Sequence, residues 1–134
     1  MPTIPYLHFQ GQCAEAMTFY RDVLGGTDLQ MMRYSEAPGA PASDRVIHAQ
    51  VTLGGSTLMA SDYPDGVPGV TQAAVSVMHS AGKVDAARAV FDRLAEGGAV
   101  VQPFAPSFFA PGFGMVRDRF GTHWMIVAEA EAAS

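Results

Sequence analysis

The sequence predicts an α+β fold built from two similar βαβββ halves, and three observations carry that expectation. Gly55-Ser56-Thr57-Leu58-Met59-Ala60 returns 66 residues later as Gly121-Thr122-His123-Trp124-Met125-Ile126. Phe19 ahead of Gly25-Gly26 returns 72 residues later as Phe91 ahead of Gly97-Gly98. Stretches with strand character flank a stretch with helical periodicity, in the same order, in each half. Offsets this close are what a duplicated unit gives when its copies differ slightly in length. Two such halves can face each other across a pseudo-twofold axis and enclose a shared cup, with helices on one face of the sheet. Function is to be sought in that cup.

The elements follow in order. Thr3 to Phe9 is a β-compatible run ended by Gly11. Cys13 to Leu24 reads as a helix, because Ala16, Phe19, Tyr20 and Val23 form one apolar stripe and Gly25-Gly26 stops it. Thr27 to Tyr34 is a strand. Ser35 to Asp44 has two prolines, a glycine and no large apolar residue, the composition of a mobile solvated loop or of a lid. Arg45 to Leu53 and Ser56 to Asp62 are strands joined across Gly54-Gly55. The first module thus spans about 1–62, Tyr63 to Val70 is the linker, and the second module spans 71–134. Within it Thr71 to Met78 is a strand and Lys83 to Glu96 a helix whose Val84, Ala87, Phe91 and Leu94 share a face. Ala99 to Phe104, Phe113 to Asp118 and Thr122 to Ala128 complete the strands. Glu129 to Ser134 is a fraying tail.

Composition narrows the function classes. The chain has 134 residues, 49% of them apolar and 16% charged, enough for one real core. A net charge of −5 and no basic stripe speak against nucleic acid, whose binders replace counterions with Lys and Arg. No apolar run reaches the roughly 20 residues that span a bilayer, and Pro2 and Pro5 fall where a signal segment would need its apolar core. Cys13 is the one cysteine, so no disulfide can form within the chain. Its place in a first helical turn would lower the thiol pKa, but no His adjoins it in sequence and burial as a small hydrophobe is the stronger expectation. The expectation is a cytoplasmic protein that needs no cofactor.

The runs PYLHFQG, EAMTFYRDVLGG, HAQVTLGG, LMASD and GFGMVRDRFGTHWMI, in that order, resemble the PhnB-like branch of the vicinal oxygen chelate superfamily. That superfamily includes glyoxalase I, extradiol dioxygenases and bleomycin-resistance proteins, and the branch often carries the label 3-demethylubiquinone methyltransferase-like. The resemblance covers nearly the whole chain. It implies paired βαβββ modules, a curved mixed sheet that cups a pocket, and usually a homodimer. Metal-dependent members place His, Glu or Gln on the first, fourth, fifth and eighth strands. Those positions fall here on Pro5, Met59, Gln72 and Met125. Proline cannot ligate, a thioether is a poor donor for hard or borderline divalent ions, and Gln72 alone holds none. The expectation is therefore no metal.

Alternation along the strands assigns the cup lining, since residues two apart share a face. Ala49, Val51 and Leu53 suit the helix side, which turns His48, Gln50 and Thr52 inward. Thr57, Met59 and Ser61 face inward from the fourth strand, Gln72, Ala74 and Ser76 from the fifth, and His123, Met125 and Val127 from the last. Trp124 and Ile126 pack under the helix. His48 and His123 are candidate general bases or ligands of a shifted metal, or simply hydrogen-bonded residues of a half-buried sheet. Met59 and Met125 are pliable pocket walls or core filler. Phe108 and Phe109, crowded with Phe104 and Phe113 near prolines, close over a flat ligand or pack against a partner subunit. His8 and His79 lie on the outer face or a strand end and receive no role. Asp62 and Asp118 fit turn-capping better than catalysis. No Gly-rich loop follows a strand in a phosphate-cradling pattern, and no Ser nucleophile sits in an elbow.

These readings favour a metal-independent small-molecule binding protein, with His48, Gln50, Met59, Ser61, Gln72, Ser76, Phe108, Phe109, His123 and Met125 as ligand contacts. The alternative is a lyase, isomerase or dioxygenase-type enzyme with a non-standard site built on His48 or His123. A third class is a structural dimer with a vestigial cup.

Overall fold

Two units divide the chain, the first running to Thr71 and the second starting at Gln72. They come from a computed structural model that describes residues 2–39 and 42–130. The first unit holds β1 (Tyr6–Phe9), α1 (Cys13–Leu24), β2 (Thr27–Arg33), a 3-10 turn (Tyr34–Glu36), β3 (Val46–Leu53) and β4 (Ser56–Asp62). The second holds β5 (Val77–Ser80), α2 (Val84–Ala95), β6 (Ala99–Ala105), β7 (Phe113–Arg117) and β8 (His123–Val127). Each unit is one four-stranded sheet, ordered β1-β4-β3-β2 and β5-β8-β7-β6. In each, the first and last strands in sequence (β1 with β4, β5 with β8) pair in parallel and the other pairs are antiparallel. The repeated βαβββ order expected from the sequence is what forms. Loop residues 40 and 41 and tail residues 131–134 lie outside the described residues.

One face of each sheet packs on its helix. In the first unit Leu7, Phe9, Ala49, Val51, Leu58 and Ala60 are buried with Cys13, Ala16, Met17, Tyr20 and Leu24 of α1. The helical stripe is rotated slightly from the expected one: Phe19 and Val23 are only half-buried at its edge, and Met17 and Leu24 fill its centre. In the second unit Trp124, Ile126 and Val116 are buried with Ala87, Phe91 and Leu94 of α2.

The repeated Gly-Gly pairs have one physical cause. Gly25 and Gly97 take left-handed φ values of 72° and 73°. The glycine after each lies tight against the sheet. A Cβ on Gly26 would sit 2.8 Å from Val51 Cγ2, and one on Gly98 would sit 2.1 Å from the Arg117 carbonyl oxygen.

Three boundaries depart from expectation. β1 starts at Tyr6, because Pro5 only lends its carbonyl to the Met59 N–H at 3.2 Å. β6 runs one residue past the expected Phe104, to Ala105; an edge strand tolerates Pro103 within it, and its register with β7 slips between Gln102 and Ala105. The largest difference lies before α2. Residues 71–76 are not a strand, Ala74 takes a left-handed φ of 59°, and β5 begins only at Val77. A left-handed residue breaks strand alternation, so Thr71 to Met78 cannot present a single face. Among the described residues no helix is long and apolar enough to cross a membrane.

Candidate functional site

The face of the first sheet turned away from α1 carries its chemistry. β1 and β4 place Tyr6 beside Met59 and His8 beside Ser61, while β4 and β3 place Met59 beside Gln50. These side chains connect. Tyr6 Oη lies 3.0 Å from His48 Nδ1, and His48 Nε2 lies 3.1 Å from Gln50 Oε1. Ser61 Oγ lies 3.5 Å from His8 Nδ1. The rings also touch: Tyr6 and His8 centroids are 5.2 Å apart, and His8 stacks on Tyr63 at 5.3 Å with planes 28° apart. His48, Gln50, Met59 and Ser61 thus share one face, as the alternation implied. Sequence reasoning missed Tyr6, His8 and Tyr63. His8 is not on the helix side; Leu7 and Phe9 occupy that side, and their burial turns Tyr6 and His8 to the other. The signal was present in the alternation of Tyr6-Leu7-His8-Phe9, had Leu7 and Phe9 been set under the helix.

The second unit arranges its open face differently. Met78, Met125 and Met115 stand side by side on β5, β8 and β7, with Gln102 next on β6. Met78 is 57% exposed. His123 stands opposite Arg117, and His123, Met125 and Val127 are half-buried while Trp124 and Ile126 are fully buried, as expected. Gln72 is a correction. It lies outside β5, and its Nε2 donates to Thr122 Oγ1 at 3.1 Å. Ser76 precedes the strand for the same reason. Phe108 is fully exposed, and Phe109 meets both Phe108 and Phe113 edge-on at 5.2 and 5.0 Å.

Around these faces, titratable groups are held by burial and backbone. Burial first, and the nearby Asp62 carboxylate second, push the Cys13 thiol up to about 12, so the thiol form is the one favoured there. Burial lowers the pKa of His79, on the helix side of β5. Burial, then Asp62, raises the Tyr34 phenol, which donates to the Asp62 carbonyl oxygen at 3.0 Å. Asp62 and Asp118 act as anchors. Asp62 accepts from the N–H groups of Gly11, Cys13 and Val46, and Asp118 from those of Phe120 and Thr122 and from Trp124 Nε1.

The register also tests whether a divalent metal fits. Of the expected quartet, Met59 lies on β4 and Met125 on β8, while Pro5 and Gln72 fall outside β1 and β5. Proline cannot ligate, and the thioethers of Met59 and Met125 are poor donors for a hard or borderline divalent ion. Among the described residues no three His, Cys, Asp or Glu side chains group to hold one.

Two βαβββ units with helix-backed mixed sheets define a protein of the glyoxalase/bleomycin-resistance fold. The family model described as 3-demethylubiquinone-9 3-methyltransferase matches residues 2–127, and the chain belongs to that PhnB-like family. Protein PA1353 from Pseudomonas aeruginosa is 38% identical, with 98% of this chain and 99% of that one covered and a TM-score of 0.90. The PhnB protein from Bacillus cereus is 28% identical over 96% of this chain and 99% of that one, with a TM-score of 0.81. A glyoxylase/bleomycin resistance protein/dioxygenase domain from Frankia sp. EAN1pec shares the fold at 15% identity, covering 99% and 93%, with a TM-score of 0.65.

Proposed function

We propose that the protein binds a small molecule and does so without a metal ion. The observation that carries this reading is the open face of the first sheet, where Tyr6 pairs with Met59 and meets His48, a donor set that suits ligand contact better than divalent coordination. Tyr6, His8, His48, Gln50 and Ser61 offer neutral hydrogen-bonding groups, and Met59 beside them offers adaptable apolar surface. That mixture suits a small, partly polar ligand. The family's description speaks of methyl transfer, but the sequence has no Gly-rich strand-to-helix loop to cradle a nucleotide-bearing methyl donor. A homodimer in the cytoplasm completes the proposal.

Metal titration followed by native mass spectrometry of untagged protein tests it. Zinc, manganese, nickel and iron(II) are each expected to give no one-per-chain uptake, and a small molecule is expected to co-purify. Tight stoichiometric metal would overturn the reading. The hydrogen bonds from Tyr6 to His48 and from His48 to Gln50 favour a second reading, a metal-free catalyst centred on His48.

A further inference from the structure

Tyr6 is joined to His48 more specifically than ligand contact requires. Its Oη lies 3.0 Å from Nδ1, and the other ring nitrogen, Nε2, lies 3.1 Å from Gln50 Oε1. An amide oxygen only accepts, so Nε2 carries a ring hydrogen, and in the neutral imidazole Nδ1 then presents a lone pair. The Tyr6 hydroxyl therefore donates to Nδ1. The series runs hydroxyl, base, orienting group, each within hydrogen-bond reach of the next, which is the arrangement that activates a nucleophile. The ring of Tyr6 is held by its contacts with His8 at 5.2 Å and His48 at 5.7 Å. Tyr6 is 41% exposed, so a ligand can reach it.

The other tyrosines are placed differently. Tyr20 is fully buried, Tyr34 donates to a backbone carbonyl that cannot take a proton, and Tyr63 stacks on His8.

We propose that Tyr6 is a base-assisted phenol nucleophile, with His48 as its base and Gln50 setting the tautomer of that base, directed at acyl and sulfonyl electrophiles. In the step, Tyr6 Oη forms a bond to the electrophilic carbon or sulfur while its proton passes to His48 Nδ1. The bond to the leaving group breaks, and that group departs with the electron pair. The proton then leaves Nδ1 for the leaving group or for water, which restores the neutral imidazole. A phenol is a far stronger acid than the serine alcohol that the same logic serves elsewhere, so the proton transfer asks less of the base. The proposal goes beyond the binding reading and does not depend on it.

Labelling the full chain with an aryl sulfonyl fluoride, followed by peptide mass mapping, tests it. The expected result is one adduct on Tyr6, formed ahead of any on Tyr34 or Tyr63 and lost in Tyr6→Phe. His48→Ala is expected to slow Tyr6 labelling by on the order of 100-fold, the usual worth of a positioned general base. Gln50→Leu is expected to slow it less. Labelling of Tyr6 no faster than of Tyr34 and Tyr63, or unchanged by His48→Ala, overturns the proposal. Nitrogen-15 NMR of the unmodified protein gives an independent check should a variant fail to fold. A hydrogen found on His48 Nδ1 rather than Nε2 also overturns it.

Discussion

Asp62 is the residue on which the first unit closes. Its carboxylate oxygens lie 2.8, 3.0 and 2.9 Å from the N–H groups of Gly11, Cys13 and Val46, so one side chain ties the end of β4 to the start of α1 and the start of β3. Gln12 supplies no side-chain cap to that helix, so the cap comes from Asp62 through tertiary structure. Asp62→Ala leaves two buried donors without a partner and is expected to cost about 3 kcal/mol, measured by urea unfolding. Asp62→Asn, which keeps one acceptor oxygen, is expected to cost less. Equal losses in the two variants would show that the acceptor geometry does not matter. His79 makes a pH-dependent contribution. Burial lowers its folded-state pKa, so the unfolded chain binds the proton more readily. The protein therefore loses stability as pH falls through the ordinary imidazole range, near pH 6.5, and regains it above. His79→Phe is expected to flatten the melting temperature between pH 7 and pH 5 relative to the parent. An unchanged slope would remove His79 as its source.

At the scale of elements, the segment before β5 decides what the second sheet presents. Ala74 holds a left-handed φ of 59°, a conformation that costs an L-residue about 1–2 kcal/mol. Glycine carries no such cost but gives the unfolded chain more freedom, so Ala74→Gly is expected to stabilise the protein by about 0.5 kcal/mol. A lower melting temperature in that variant would mean that the Ala74 methyl group makes contacts worth more than the strain. The left-handed bend lets β5 start at Val77, and that start sets Met78 beside Met125. Tyr6 and Met78 are 72 residues apart and Met59 and Met125 are 66 apart, the same two offsets that relate the sequence echoes. The repeat therefore extends to side-chain positions on the open faces. Its chemistry has diverged, with Tyr6 and Gln50 in one unit where the other has Met78 and Met115.

At the scale of the whole molecule, the legible part of the fold was the part written in local chemistry. The Gly-Gly helix stops, the apolar stripe of Ala87, Phe91 and Leu94, and the alternation of His48-Ala49-Gln50-Val51 each act through near neighbours in sequence, so periodicity reports them. The unread part depended on partners far along the chain. His8 faces the open side because Leu7 and Phe9 are buried in a core that α1 completes, and β1 is short because only Tyr6 to Phe9 find partners on β4. Thr71 to Ser76 looked like strand because nothing local to Ala74 announces a left-handed turn. The sequence by itself determined two βαβββ units, their order of elements and most of the residues on each open face. Only the tertiary structure decided which of those residues meet: Tyr6 with His48 across 42 positions, Asp62 with Cys13 across 49, and Met78 with Met125. The physical reason is that alternation fixes the face a side chain takes, whereas its neighbour on that face is set by strand register, which forms only when distant strands pair.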